Sequence, residues 1–278
     1  MFRRLLSSSL LRVCTSLSVP VMATGENIAL QMYSLRNVGS LEEQFAMAHR
    51  AGFKYVEVVE TPDVSAEQLK RTLQHNGLTA ISAHVQLIYL EKNYEQVVKY
   101  NQVVGISTIV VPWIEPQDRP DSFQAWVQYA IRLDVMGEKL RQSGMQLAYH
   151  NHNFEMKKYE GITALEIILN HSSSQNLKLE MDAAWVSRGG QDPLRFINAY
   201  PQRIFALHAK DNAPIGVRDD EMNFAPVGEG LLDWPSILPA AQKNGVKWLI
   251  IEHDKPKDAW SVITTSLKNL QHALAKIN

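Results

Sequence analysis

A single (β/α)8 barrel is the fold that the 278-residue sequence predicts, and three observations predict it. From Ile28 onward, eight short apolar runs alternate with longer segments of helical spacing. Five of those segments end on glycine before a new apolar residue, in "RAGF", "HNGL", "VVGI", "QSGM" and "KNGV". No GxGxxG or Walker-type phosphate loop follows any run, which counts against an open, doubly wound sheet. Units of this length imply parallel strands joined by helical crossovers.

The elements follow in order. "IALQMYS" is the first strand, and a helix over 41–51 runs to Gly52. "KYVEVVE" leads to a helix over 65–75 and Gly77. "LTAISAHV" precedes a helix over 91–103 that stops at Gly105. "STIVVPW" precedes the long helix 121–142, with Asp121 as its cap and Gly144 beyond its end. "MQLAYH" is followed by a helix over 162–171, and "LKLEMD" by one over 192–199 that opens on Asp192-Pro193. "RIFALHA" enters the longest irregular stretch, 212–233, before a helix over 234–243 that opens on Asp233-Trp234-Pro235. "KWLIIE" and a helix over 259–276 complete the set. Glycine closes helices because it takes positive φ without a Cβ penalty. Aspartate accepts from the first free N–H groups, and proline fits the first turn. An irregular stretch as long as 212–233 is usually functional or disordered.

Composition narrows the function. With 45% apolar and 21% charged residues, the chain reads as soluble and globular. A net charge of −1 gives no general case for binding nucleic acid or an anionic membrane. Cys14 is the only cysteine, so there is no internal disulfide and no thiolate metal site in the body. Residues 1–25 carry three arginines, many serines and no acidic residue, as a targeting segment would. Arg12 breaks their apolar stretch, against a membrane span. The alternative is a non-functional extension, with the working protein starting at Met22. The second case predicts a cytoplasmic protein, the first an exported or organelle-targeted one. Either way, 26–278 is the catalytic barrel.

Barrels of this kind keep their active site at the C-terminal ends of the strands. The residues there are Tyr33, Glu60, His84, Trp113, His150 with His152 and Glu155, Asp182, His208, and Glu252 with His253 and Asp254. Each has an ordinary reading. A lone histidine is usually a hydrogen-bonded structural group. Glu57 and Glu60 could be solvated or salt-bridged, Asp182 could cap a helix, and Tyr33 and Trp113 could be packing, although aromatic faces also bind sugars. Together the set points elsewhere. Asp182, His208 and Glu252 close three successive strands, each directly after an apolar run. Carboxylates with an imidazole suit Mn²⁺, Co²⁺, Fe²⁺ or Zn²⁺. Such an ion polarises a carbonyl or stabilises an enediolate, and tuned carboxylates can carry the proton.

Over roughly residues 27–276 the sequence resembles the sugar phosphate isomerase/epimerase family, the xylose-isomerase-like TIM barrels. The resemblance rests on "IALQMYSLR", "HNHNFEM", "LEMDAAWV", "LHAKD", "VGEGLLDWPSIL" and "IIEHD". It implies one divalent ion (Mn, Co, Fe, Mg or Zn) held by a Glu–Asp–His–Glu set from strands five to eight. Asp182, His208 and Glu252 match three of those ligands. His150 stands where many relatives place the strand-five glutamate. Glu155, five residues on, is the favoured fourth ligand, with His150 or His152 as the rival. Glu155 and Glu252 are then the proton-carrying pair and His152 a further acid–base group. His84, His150, Trp113 and Tyr33 face the substrate, and Lys210 binds a substrate oxyanion. Glu229 and Asp233 organise the loop and cap a helix.

The function implied is isomerisation or epimerisation of a ketose or related keto-sugar by proton abstraction next to a carbonyl. The alternative on the same site is a lyase or hydratase acting on a 3-keto sugar or keto-glycoside. A DNA-repair endonuclease would need more metals and a basic groove, and a non-catalytic barrel would make the strand-end carboxylates dispensable. The partner expected is a small carbohydrate, with no nucleic acid and no membrane; a homo-oligomer is compatible. No cluster of arginine and lysine marks a phosphate site.

Overall fold

Eight parallel strands close into a ring in the structure, a computed structural model that describes residues 27–61 and 63–277. They are β1 Ile28–Gln31, β2 Tyr55–Val59, β3 Thr79–His84, β4 Thr108–Val111, β5 Gln146–His150, β6 Leu177–Asp182, β7 Ile204–Ala209 and β8 Trp248–Ile251. Each pairs with the next, and β8 returns to β1 with Ala29 opposite Ile250. The eight apolar runs are therefore the eight strands. The targeting segment expected at 1–25 lies outside the described residues.

Helices cover the outer face of the ring. Outward-facing Leu30, Val56, Ile109, Leu147, Leu179 and Leu207 pack against helical Phe45, Leu69, Trp126, Leu133, Phe196 and Ile237 in one buried apolar layer. The glycines expected to end helices, Gly52, Gly77, Gly105, Gly144 and Gly245, all have positive φ, from 61° to 99°. Three helix boundaries differ from the sequence reading. The segment expected as one helix over 91–103 is two, Leu87–Lys92 and Tyr94–Val104. They break at Asn93, whose side chain bonds back to Tyr89 O at 3.1 Å and competes with the helical ladder. Ser122, not Asp121, caps the long helix Phe123–Gln142. An additional short helix, Ala183–Arg188, follows β6 directly because Asp182 accepts from Trp185 N.

The irregular stretch after β7 is tied down rather than loose. Asp211 Oδ2 accepts from Gly228 N (2.9 Å), Gly230 N (3.3 Å) and Trp234 Nε1 (2.8 Å). Its Oδ1 accepts from Asn212 N (2.9 Å) and Leu232 N (3.0 Å). One buried carboxylate thus satisfies five donors and joins "LHAKD" to "VGEGLLDW". Gly230 is required there: a Cβ would stand 2.2 Å from Asp211 Oδ1 and 2.6 Å from Asn212 O.

Inside the ring the chemistry changes with height. Ala29, Ala206 and Ile250 form a small apolar floor, with Tyr55 and Trp248 in edge-to-face contact at 4.8 Å. Two residues further along the strands come Gln31, Glu57, Ser82, Glu180 and His208, all fully buried. Successive side chains of a strand alternate faces, so Glu180 and Asp182 both point inward, as do Ala206 and His208. The barrel axis therefore carries an ionic layer directly beneath its mouth.

Candidate active site

His208 stands at the centre of that layer, fully buried. Its Nδ1 lies 2.9 Å from Glu252 Oε2. Its Nε2 lies 2.9 Å from Glu57 Oε1 and 2.9 Å from Glu180 Oε1. Burial disfavours the charged imidazole, but Glu180 and Glu252 outweigh it and hold His208 well above the usual histidine range. His84 behaves alike. Burial lowers it, while Glu57 at 3.0 Å and Glu180 at 2.9 Å lift it to about 10. Burial alone would raise Glu57, yet the two histidines pull it well below the carboxylate range. Glu180 goes the other way, raised by burial and by Glu57.

Above this layer Lys210 extends from β7 into three carboxylates. Its Nζ is 2.7 Å from Glu252 Oε2, 2.7 Å from Asp254 Oδ1 and 3.0 Å from Asp182 Oδ2. Burial opposes the ammonium, but Asp182, Asp254 and Glu252 hold its pKa above the normal lysine value. Glu252 would rise on burial and is instead lowered by Lys210 and His208. Burial raises Asp182, and lifts Asp254 to about 6.

Among the described residues, two buried groups bring donor atoms within 4.8 Å of one another: His84, His150, Glu180 and His208, and His150, Asp182, His208 and Glu252. The second fits a divalent ion in two respects. Its donors are two imidazole nitrogens and two carboxylate oxygens, a mixture that suits several first-row metals. Two of its atoms, His150 Nδ1 and Asp182 Oδ2, are buried without a hydrogen bond. Lys210 reaches ion-pair distance of Asp182 Oδ2 but not hydrogen-bond geometry, so that oxygen stays open. Asp182 Oδ1 is meanwhile held by Trp185 N at 2.8 Å, so the residue is a helix cap and a candidate ligand at once.

Glu155, favoured on the sequence as the fourth ligand and as a proton carrier, belongs to neither group. Its Oε1 accepts from the Tyr149 hydroxyl at 2.6 Å and its Oε2 from His152 N at 2.8 Å. Five residues of chain turn it back under the strand end, where both oxygens are used. His150 takes the place expected of it. Lys210 is also corrected: at 1% exposure and bound to three carboxylates, its ammonium is not free for a substrate oxyanion.

A cavity of about 610 Å³ opens over the metal-type cluster. His150, His152 and Glu252 line one side, and Tyr33, Arg36, Glu60, His84 and Trp113 line other parts of it. His152 is partly exposed at the cavity and held well below the usual histidine range, chiefly by burial of its ring and then by Lys210, which favours its neutral form. Trp113 at 4.6 Å and Trp185 at 5.5 Å between ring centres fix its plane. The Arg119 guanidinium stacks on Phe154 at 3.7 Å, and that of Arg36 on Tyr33 at 3.8 Å. Both aromatic candidates, Tyr33 and Trp113, are therefore parts of the cavity wall. Glu57 is neither solvated nor exposed, and burial raises the cavity-lining Glu60.

Residues that the sequence reading passed over are Glu180 and Asp211, while Asp254 was placed at a strand end but given no role. Alternation held the signal for the first. In "LKLEMD", Glu180 shares a face with Asp182, opposite Leu179 and Met181, so an inward Asp182 requires an inward Glu180.

Residues 45–274 match the family model described as xylose isomerase-like TIM barrel. An inosose dehydratase of Lacticaseibacillus casei is 24% identical over 261 residues, covering 82% of this chain and 87% of that protein. A crystal structure of a sugar phosphate isomerase/epimerase from Parabacteroides distasonis superposes with a TM-score of 0.77 at 20% identity, covering 93% of this chain and 98% of that one. The structure of the IolI protein with a bound zinc atom gives 0.68 at 17% identity, covering 90% and 98%. At these identities the structural likenesses speak for the fold. No helix among the described residues is long and apolar enough to cross a membrane.

Proposed function

The chain belongs to the xylose isomerase-like TIM barrel family, and from that premise we propose that it is a divalent-metal-dependent enzyme acting on a keto-sugar or keto-cyclitol. It removes a proton from the carbon next to the carbonyl. The observation that carries this reading is the meeting of His150, Asp182, His208 and Glu252 beside a cavity that two of them line.

An ion held by those four residues supplies Lewis acidity, which polarises a carbonyl and acidifies the neighbouring C–H. The chain's own groups do the rest. Lys210 offsets the charge of Asp182, Glu252 and Asp254 and keeps its proton throughout. His152 faces the cavity and its surroundings favour the neutral form, so an imidazole nitrogen can accept the proton. Tyr33 and Trp113 give the sugar ring flat, fixed faces.

Elimination of water is the first reading. Two-faced proton transfer was expected from Glu155 and Glu252, and Glu155 is clamped away from the cluster. Elimination needs only one proton carrier. The C–H bond breaks and its proton passes to His152. The electron pair forms a C=C bond as the β-hydroxyl leaves. The His152 imidazolium returns the proton to that hydroxyl, which departs as water. Likeness to inosose dehydratases supports the reaction and a keto-cyclitol as substrate. Isomerisation or epimerisation is the second reading. It is favoured by His152 and Glu252 lining the cavity from the segments that follow β5 and β8, where one could take a proton and the other return it.

Elemental analysis of the purified protein is expected to find a single divalent ion per chain. The protein is then incubated in D₂O with an inosose and with ketohexoses. Elimination gives a conjugated, ultraviolet-absorbing product. Epimerisation gives recovered sugar deuterated beside the carbonyl and no new absorbance. Failure to hold any ion after reconstitution with Mn²⁺, Co²⁺ and Zn²⁺ sinks the assignment.

A further inference from the structure

We infer that Glu57 and Glu180 are positioning residues for the ion site: acting through His208, they decide which of its nitrogens is offered to a divalent ion. The inference rests on the metal reading above and concerns residues outside the four-donor group that reading uses.

A neutral imidazole carries one proton, and only the nitrogen without it can ligate. His208 Nε2 has carboxylate oxygens of Glu57 and Glu180 at 2.9 Å each, and neither belongs to the His150, Asp182, His208 and Glu252 group. Nδ1 faces Glu252, which does. Two carboxylates on the Nε2 side hold the proton there and leave the Nδ1 lone pair for the ion. A carboxylate behind a ligating histidine also raises its basicity and fixes its plane.

Glu57 is itself immobilised. Ser82 Oγ donates to its Oε2 at 2.5 Å, Gln31 Nε2 to its Oε1 at 2.7 Å, and His84 Nε2 stands 3.0 Å away. Those donors come from β1 and β3, neither of which neighbours the strand of His208. Glu180 reaches a second candidate ligand too, with its Oε1 3.2 Å from His150 Nδ1. Neither Glu57 nor Glu180 lines the cavity, so their effect runs through the histidines and not through substrate.

The test loads the full chain with Zn²⁺ and measures affinity by chelator competition, for wild type, Glu57→Gln and Glu180→Gln. The expected result is one ion at saturation in all three, with affinity weakened roughly tenfold to hundredfold in the variants. Circular dichroism confirms that they fold. Long-range ¹H–¹⁵N spectra of the zinc-loaded wild type provide a readout that needs no variant. They should place the His208 proton on Nε2 and the ion on Nδ1. The opposite arrangement overturns the inference, as does affinity within about twofold of wild type in folded variants. Two ions in wild type and one in Glu57→Gln overturn it as well, since Glu57 is then itself a ligand. A wild type that binds no zinc removes the metal reading and the inference together, whereas unchanged affinity at one ion per chain removes the inference alone.

Discussion

Glu155→Gln separates a structural carboxylate from a catalytic one. Glu155 is fully buried, and burial pushes its carboxyl up to about 7 from 4.5 although Tyr149 and the His152 N–H pull the other way. At about 1.4 kcal/mol per pH unit, the ionised form is disfavoured in the fold by roughly 3 kcal/mol. The native state therefore holds this proton more tightly than the unfolded chain does. Stability falls as pH rises from about 4.5 to about 7, and above that the loss is complete. Glutamine keeps the shape of the protonated acid, with an oxygen for one N–H or O–H donor and no charge. The variant should match wild type at pH 5 and exceed it at pH 8 by on the order of 1–3 kcal/mol. Urea unfolding at the two pH values measures this, beside metal content and turnover, both of which should be retained. A folded variant that loses its ion or its turnover returns Glu155 to the active site and refutes the reasoning.

His152→Asn should lower turnover by roughly 10²- to 10⁴-fold at unchanged metal content, which steady-state kinetics and elemental analysis read together. Asp182→Ala should lose the ion and, through the missing cap on Trp185 N, about 1 kcal/mol of stability in urea unfolding. Asp211→Asn turns an amide toward at least two of five donors, all buried or part-buried, and should cost roughly 2–6 kcal/mol by the same assay. Gly230→Ala should be comparably destabilising, because the atoms it meets include the backbone oxygen of Asn212.

The barrel was legible because its signals are local: alternation of apolar runs, glycine at helix ends, aspartate at helix starts. Asp182, His208 and Glu252 were legible too, since position at a strand end carries position at the mouth. Glu155 was not. Its spacing from His150 left it free to reach forward or fold back, and the Tyr149 hydroxyl and the His152 N–H, six and three residues away, settle the direction through a turn that the residue types alone do not specify. Lys210 failed because the carboxylates around it come from two other stretches of chain, one at 182 and one at 252–254. Glu57 sat in plain view inside "YVEVV", but its role needs a histidine 151 positions away.

The buried ionic layer bears on how such barrels exchange parts. All four residues of the proposed ion site lie on or just after the back four strands, so a chimera joining strands five to eight of this chain to the front half of a relative would inherit all four. It would not inherit Glu57 and His84, which meet His208 directly, or Gln31 and Ser82, which hold Glu57 in place. The working unit of descent and of design is therefore the closed ring. A half-barrel moved alone carries its ligands into a setting where nothing holds them still.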